Sequence, residues 1–386
     1  MAELCPNGIK YLEIGSVVNY EQPTKYIVDS TDYDDNYEIP VLTAGQTFIL
    51  GYTDETDGIF NATKDSPVII FDDFTGAFKW VDFPFKVKSS AMKILTANEN
   101  KAMLRYIYHI MGHIGFSSSE HKRLWISIYS AFKIPMPPLE VQREIVRVLD
   151  NFTDLTAELT AELTARKKQY EYYRDLLLDF GVHGGGTIEC EWHTIRLGDI
   201  CSIITKGTTP KSYEKTGIAF IKTEAFVGRY IDKSKLSFVS EETHIGFLKR
   251  SILRENDILF TIAGATIGKM AIVTADILPA NTNQACAIIR LRNNNDLGYV
   301  KYILESVFMK NYMKKCIKGS AQPNLNLQQL NDFKFPYPNE DKKIEIVSIL
   351  DRFDKLCNDI SEGLPAEIEA RRKQYEYYRD KLLSFD

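Results

Sequence analysis

Little in this sequence points to an enzyme, a membrane protein or a secreted scaffold. Its six cysteines (Cys5, Cys190, Cys201, Cys286, Cys316 and Cys357) are scattered over 386 residues with no CxxC pair. A disulfide framework is not expected at this size, and reduced thiols in a cytoplasm are the simpler reading. No run reaches the ~18 consecutive apolar residues of a membrane span. The opening MAELCPNGIKYLEIGSVV has no basic segment ahead of an apolar core, so no leader peptide is expected. The Asn-Pro-Pro-aromatic and Asp-Pro-Pro-aromatic tetrapeptides of amino-methyltransferases are missing. Gly264-Ala-Thr-Ile-Gly268-Lys269 resembles a phosphate loop but is one residue short, and Met270 stands where Ser or Thr belongs, so a turn between strands is expected. Cys190 and His193 have no second pair at zinc spacing, and the six histidines form no recognisable cluster with a nucleophile. Positive charge is also lacking. The formal net charge is −5, which by itself argues against a nucleic-acid binder.

What the chain has is an internal repeat. Lys168-Gln-Tyr-Glu-Tyr-Tyr-Arg-Asp175 recurs letter for letter as Lys373 to Asp380, an offset of 205. Glu144-Ile-Val-x-x-Leu149-Asp150-x-Phe152 recurs as Glu345-Ile-Val-x-x-Leu350-Asp351-x-Phe353, and Phe132-Lys133-x-Pro135-x-Pro137 as Phe333-Lys334-x-Pro336-x-Pro338, both at 201. The chain is a tandem duplication, each half a long variable part followed by a shorter shared part.

The shared parts read as helices. Residues 139–180 contain no Pro or Gly, and Ile145, Leu149, Phe152, Leu155, Leu159 and Leu163 form one apolar stripe at spacings of three and four. Such a helix spans roughly 63 Å. It is too long and thin to bury its stripe on itself and needs a second helix, which the other copy supplies. Gly184-Gly185-Gly186 predicts a connector. In the second copy Pro365 predicts a break, with Pro365 opening a new helical stretch to Phe385. The variable parts show short β-branched or aromatic runs at residues 39–43, 66–71, 218–223, 257–262 and 285–291, and helical runs at 102–111 and 297–315. Each reads as an α+β globule, and the two resemble each other only faintly in sequence.

This layout resembles the specificity (S) subunit of type I restriction–modification systems along the whole chain. Supporting features are the RxKQYEYYRD-type endings, the stretch SEGLPAEIEARRKQYEYYRDKLL, the Leu4-Cys5-Pro6-x-Gly8-x-x-Tyr11 and Leu197-Gly198-Asp199-Ile200 openings, and the TAELTAEL repeat of the IC subgroup. The resemblance implies an α+β fold. Two target recognition domains (1–137 and 182–335) are separated by two long antiparallel, coiled-coil-like shared helical regions (138–181 and 336–386), related by a pseudo-twofold. It implies a non-catalytic subunit that reads a bipartite DNA site, one half per domain. Two methyltransferase (M) subunits dock on it, and two restriction (R) subunits can join. The subunit itself needs no cofactor: S-adenosylmethionine and ATP belong to the partners. The other readings are the specificity component of a fused restriction–methylation enzyme, and a coiled-coil adaptor with no DNA role.

Regional charge fits that implication better than the total does. Residues 182–335 hold 20 Lys+Arg against 14 Asp+Glu, whereas residues 138–181 hold 6 against 9 and residues 336–386 hold 9 against 12. The helices therefore suit protein partners, and the second variable domain suits phosphate. Residues 1–137 hold 12 against 17, so DNA binding there requires basic residues gathered on one face. The candidates are Lys25, Lys79, Lys86, Lys88, Lys122 and Arg123, with Tyr20, Gln22, Gln46, Trp80 and Trp125 near them. In the second domain they are Lys206, Thr208, Thr209 and Lys211 of a Gly-Thr-Thr-Pro turn, the cations Lys222, Lys249 and Arg250, and the amides Gln322, Asn324 and Asn326. For each, an ordinary surface, turn or capping role is the competing reading.

Two further features concern the helices. Tyr170, Tyr173, Tyr375 and Tyr378 are candidates for docking partner subunits, against a competing role in packing the two helices together. Thr156-Ala-Glu-Leu159 and Thr160-Ala-Glu-Leu163 (Thr156, Ala157, Glu158, Leu159, Thr160, Ala161, Glu162 and Leu163) read as a spacer ruler, since the family resemblance ties copy number to the length of the unread spacer. A four-residue unit adds ~6 Å and a net rotation of ~40°, close to the ~36° turn of one DNA step although longer than its ~3.4 Å rise.

Overall fold

The computed structural model describes residues 8–45, 47–116, 123–182, 190–317, 324–359 and 361–385. It divides into two compact units. One runs to Leu159 and also takes in the stretch from Ile368, and the other is Thr160–Glu367. Each unit therefore combines one variable domain with the beginning of one shared helical region and the end of the other.

Both variable domains are built on one topology. In the first, an antiparallel sheet runs in the order Val18–Glu21, Met92–Ala97, Val68–Asp72, Phe78–Val81. In the second the order is Cys201–Lys206, Cys286–Leu291, Ile258–Thr261, Met270–Ile272. Each also has a three-stranded sheet containing one parallel pair. These are Ile49–Thr53, Ile39–Leu42, Lys86–Val87 and Ser237–Val239, Ile218–Ile221, Ala280–Thr282. Each closes with an antiparallel pair at its ends, Lys10–Glu13 with Lys133–Met136 and Trp192–Arg196 with Lys334–Pro338. The faint sequence likeness conceals an identical strand order. The Gly264–Lys269 stretch is the turn between two of these antiparallel strands.

The central helix runs unbroken from Leu139 to Asp179. It stops where Phe180 and Gly181 take left-handed backbone conformations (φ 46° and 81°), ahead of the triple glycine, which lies outside the described residues. The distal region is two helices, Glu340–Asn358 and Leu364–Leu383. Pro365 is the second residue of the latter and not the first. A Cβ on Gly363 would stand 2.5 Å from the Lys355 carbonyl, so glycine is required at this turn. The run at 297–315 is likewise two helices, Leu297–Glu305 and Val307–Cys316, parted at Ser306. No helix among the described residues is long and apolar enough to cross a membrane.

The helices run antiparallel within each unit, and the duplicated residues repeat their contacts. In the first unit Phe152 stacks on Tyr378 at 5.2 Å, and Ile145, Leu149 and Leu383 enter the core beside Tyr106 and Ile110. In the second, Phe353 stacks on Tyr173 at 5.9 Å, and Ile346, Leu350 and Leu178 enter the core beside Tyr299 and Ile303. The hydroxyls of Tyr106 and Tyr299 donate to the carbonyls of Pro135 and Pro336, each at 2.8 Å. Leu155 leaves the predicted stripe and is 36% exposed.

The aspartates at the repeat position also match. Asp150 takes Arg105 Nε at 2.7 Å and faces one ring nitrogen of His109 at 2.8 Å, whose other nitrogen faces the Tyr375 hydroxyl at 3.1 Å. Asp351 takes Lys301 at 2.7 Å and the Tyr302 hydroxyl. Burial pushes the Asp150 carboxyl up, but the bonds from His109 and Arg105 outweigh it and hold it below the ordinary carboxylate value. A depressed pKa contributes stability above the unfolded value of ~3.9, lost as pH falls through the lower folded value. Asp150→Asn should therefore lower the thermal midpoint at neutral pH and flatten the acid limb of the stability profile below about pH 4, as scanning calorimetry of the two proteins across pH will show. Leu383→Ala should cost roughly 2–5 kcal/mol by leaving a cavity in the first unit's core, measurable by denaturant unfolding.

Candidate nucleic-acid interface

In the second domain, backbone hydrogen bonds draw the predicted loops to one end of the sheets. Gly207 N donates to Cys286 O at 3.0 Å and Thr208 N to Thr282 O at 3.0 Å. A Cβ on Gly207 would lie 2.1 Å from the Asn283 carbonyl, so this turn presses directly on its neighbour. Thr282 pairs in register with Ile221, which places Lys222 beside the same turn. Lys222 Nζ sits 4.1 Å from the centre of the Tyr213 ring. Ile262 N donates to Ala285 O and Leu325 N to Ile262 O, each at 2.8 Å, which carries Asn324 to the same end. Lys249 and Arg250 are exposed next to Leu248, whose carbonyl accepts from the Asn281 amide at 3.1 Å. Lys206, Thr209, Lys211 and Asn324 are exposed or half-buried. The structure thus collects hydroxyls, amides and cations, the groups that grip phosphates and base edges. Asn326 is partly committed, since its Oδ1 caps the helix Leu327–Asp332 by accepting from Gln329 N at 2.8 Å. Gln322 lies outside the described residues.

The first domain gathers fewer of its candidates. Gln22 and Lys25 occupy the connection corresponding to the Gly-Thr-Thr-Pro turn. Val28 N donates to Val87 O at 3.0 Å and Lys88 N to Leu42 O at 3.1 Å, so Lys88 joins them. Lys25 pairs with Glu21 at 2.9 Å. Tyr20 is 45% exposed and meets Trp125 edge-on at 6.5 Å, with Arg123 exposed just before the helix Leu124–Ser127. Beneath Tyr20 lies a buried ion pair, Lys93 to Asp73 at 3.0 Å, and Asp73 also accepts from the Trp125 backbone at 2.8 Å. Lys79 and Trp80 stand on the far edge strand, where Trp80 lies under the Arg105 guanidinium at 4.7 Å. Lys86 is buried against Glu55 at 2.6 Å. Gln46 and Lys122 lie outside the described residues.

The tyrosines of the shared helices separate by orientation. Tyr170 and Tyr375 are turned inward with hydroxyls engaged by Arg229 (2.9 Å) and His109. Tyr173 and Tyr378 stack on the opposing helix. Tyr172 and Tyr377 are 64% and 60% exposed and meet Tyr173 and Tyr378 edge-on. Of the TAEL residues, Ala157, Glu158, Thr160, Ala161 and Glu162 are exposed, while Thr156, Leu159 and Leu163 are half-buried.

Sequence reasoning passed over Tyr213, Asn283 and Gln284. The amide-rich run Asn281-Thr-Asn-Gln284 is the signal that points to the latter two. It missed Arg229, Asp354 and the Lys93–Asp73 pair altogether, because nothing in local pattern marks a long-range ion pair.

Two α+β domains of one topology, the second with a polar and basic loop cluster at one end, and both joined to shared helices, define a duplicated scaffold. The chain belongs to the family described as the type I restriction modification DNA specificity domain, which matches residues 6–166 and 189–370. It is 44% identical over 391 aligned positions to the type I restriction enzyme EcoR124I/EcoR124II specificity subunit of Escherichia coli, covering 98% of this chain and 94% of that one. Among solved structures it is similar to the type I restriction–modification S subunit from M. genitalium (TM-score 0.56, 17% identity, 98% and 97% of the two chains). It is also similar to a chain from a study of complex assembly and conformational transition in the type I system (TM-score 0.50, 17% identity, 98% of each). At that identity the structures speak for the fold.

If the loop cluster holds phosphates, each cation removed releases fewer counterions. Lys206→Ala and Lys211→Ala should each reduce the slope of log K against log salt by roughly 1 while weakening all sequences alike, and titrations of the assembled complex at several salt concentrations will measure it.

Proposed function

We propose that this chain is the DNA-reading subunit of a type I restriction–modification complex and carries no chemistry of its own. Each recognition domain reads one half of a bipartite site. The shared helices set the distance between the halves and offer one docking surface to each of two methyltransferase subunits, with restriction subunits as optional further partners. S-adenosylmethionine and ATP act on those partners, and the work is done on cytoplasmic DNA. The observation that supports this best is the depth of the duplication: strand order, helix stacking, the Tyr–Pro bonds and the aspartate position all recur. A chain that binds two like partners and two half-sites needs that repetition; an adaptor with a single partner does not.

The acidic helices argue that the subunit alone binds DNA more weakly than the complex, whose partners complete the positive channel. The outward Tyr172 and Tyr377 are the anchors we assign to the methyltransferase subunits. Replacing both with Ala should weaken that association roughly tenfold or more, read by sedimentation or calorimetric titration. Deleting residues 156–159 should shorten the spacer. Methyladenine mapping of cells carrying the deletion tests this directly, and an unchanged spacer overturns it.

A further inference from the structure

Both recognition domains are fastened to the shared helices by charge, the first through Arg105 and His109 on Asp150 and the second through Lys301 on Asp351. The second has an additional fastening three residues further along, where the first has none among the described residues. Arg229 lies at the tip of the hairpin formed by Phe226–Val227 and Tyr230–Ile231. Its Nε and Nη2 donate to the two carboxylate oxygens of Glu305 at 2.8 and 2.6 Å. Its Nη1 donates to Asp354 at 2.7 Å, and Nη2 also donates to the Tyr170 hydroxyl at 2.9 Å. The guanidinium covers the Tyr302 ring at 4.6 Å, and the side chain is only 12% exposed. Burial opposes the charge, but Glu305, Tyr170 and Asp354 hold it more firmly than water does. The recognition domain supplies Arg229, Glu305 and Tyr302. The shared helices supply Asp354 and Tyr170.

The repeat shows what stands at the same places in the first unit. Tyr170 corresponds to Tyr375, and Asp354 corresponds to Thr153. Tyr375 is engaged by His109, and the Thr153 hydroxyl donates to the Asp150 and Leu149 carbonyls of its own helix. The first seat offers its carboxylate, Asp150, to Arg105 and His109, and at the Asp354 position it has only the threonine hydroxyl of Thr153. Glu305 travels with the second domain, so Asp354 is the one charged partner of Arg229 that belongs to the seat. A fork of fixed geometry held from both sides resists tilting in a way that apolar packing alone does not.

We propose that Arg229 and Asp354 form an address: they fix the seating of the second recognition domain on the shared helices and make that domain fit the second seat and not the first. Arg229 is thus a positioning residue for the second half-site, with no role in touching DNA. The inference rests on the DNA-reading role proposed for the chain.

The test coexpresses the full chain with the methyltransferase subunit of its own system and maps methyladenine by spacer length. A wild-type complex that methylates no bipartite site refutes the DNA-reading role itself, whatever the variants do. Given a single wild-type spacer, Arg229→Met and the milder Asp354→Asn should each raise methylation at sites one base pair longer or shorter roughly tenfold relative to the wild type. The bases read should be unchanged, and Arg229→Lys should recover part of the restriction. In a second chain, residues 190–335 replace the first domain as well, so the same domain occupies both seats. There Thr153→Asp should raise methylation of the resulting symmetric site roughly tenfold, a gain that a merely destabilising change does not produce. An unchanged spacer distribution in both Arg229→Met and Asp354→Asn overturns the proposal. So does equal methylation of the symmetric site with and without Thr153→Asp, zero in both included.

Discussion

The structure depends on a constraint set by one long helix. Forty-one residues in a single helix present an apolar stripe that no short loop can cover. The stripe is covered in two places by like contacts from two parts of the distal region. At its beginning the end of the distal helix lies against it, with Phe152 on Tyr378 and Leu383 among the core residues. At its end the beginning of the distal region does the same, with Phe353 on Tyr173 and Leu178 in the core. The first unit takes its covering segment from the far end of the sequence, from Ile368 on, and the second takes it from the shared region that follows its own recognition domain. Thus a duplicated chain, and not a single copy, satisfies the helix.

Duplication then allowed the two seats to diverge where packing did not forbid it. Leu149 and Leu350 are fully buried, and so are Leu178 and, very nearly, Leu383, because a change in volume there opens a cavity. Polar positions have less at stake in shape and more in partner. Asp150 answers a histidine and an arginine, whereas Asp351 answers a tyrosine and a lysine. Gln142 closes the start of the central helix by bonding Met103 N and the Lys101 and Pro137 carbonyls, whereas Lys343 at the same repeat position pairs with buried Asp296. The scaffold is symmetric in its hydrocarbon and individual in its charges.

How far the fold was legible in the sequence depends on the range of the forces involved. The helices were legible because their period is local and their repeat is letter-perfect from Lys168 to Asp175. The shared topology of the recognition domains was not, since strands such as Lys86–Val87 are two residues long and pair in parallel with Ile39–Leu42 across the intervening chain. The Gly-Thr-Thr-Pro turn and Asn324 announced themselves by composition, and the structure places both at one end of the sheets. Which tyrosine faces outward was beyond composition: Tyr170, Tyr172 and Tyr173 differ by about 100° of rotation per residue, and the inward one is decided by where Arg229 stands. The Lys93–Asp73 and Arg229–Asp354 pairs join residues whose neighbours in sequence give no sign of them.

The site of the TAEL units obeys the same physics. The division between the compact units falls between Leu159 and Thr160, at the junction of the two copies. The residues that anchor the central helix in the first unit end at Phe152, and those that anchor it in the second begin with Leu163 and Tyr170. Between them most side chains are exposed, and Leu159 is only half-buried. Four residues inserted or removed there add or subtract about one turn, with a net rotation near 40°, and displace no fully buried side chain. The same change made at Leu149 or Leu178 would carry core residues about 6 Å along the helix, out of the pockets they fill. A change of length in this stretch is therefore expected to cost less than one in the cores on either side, which is the physical ground of the ruler proposed for it.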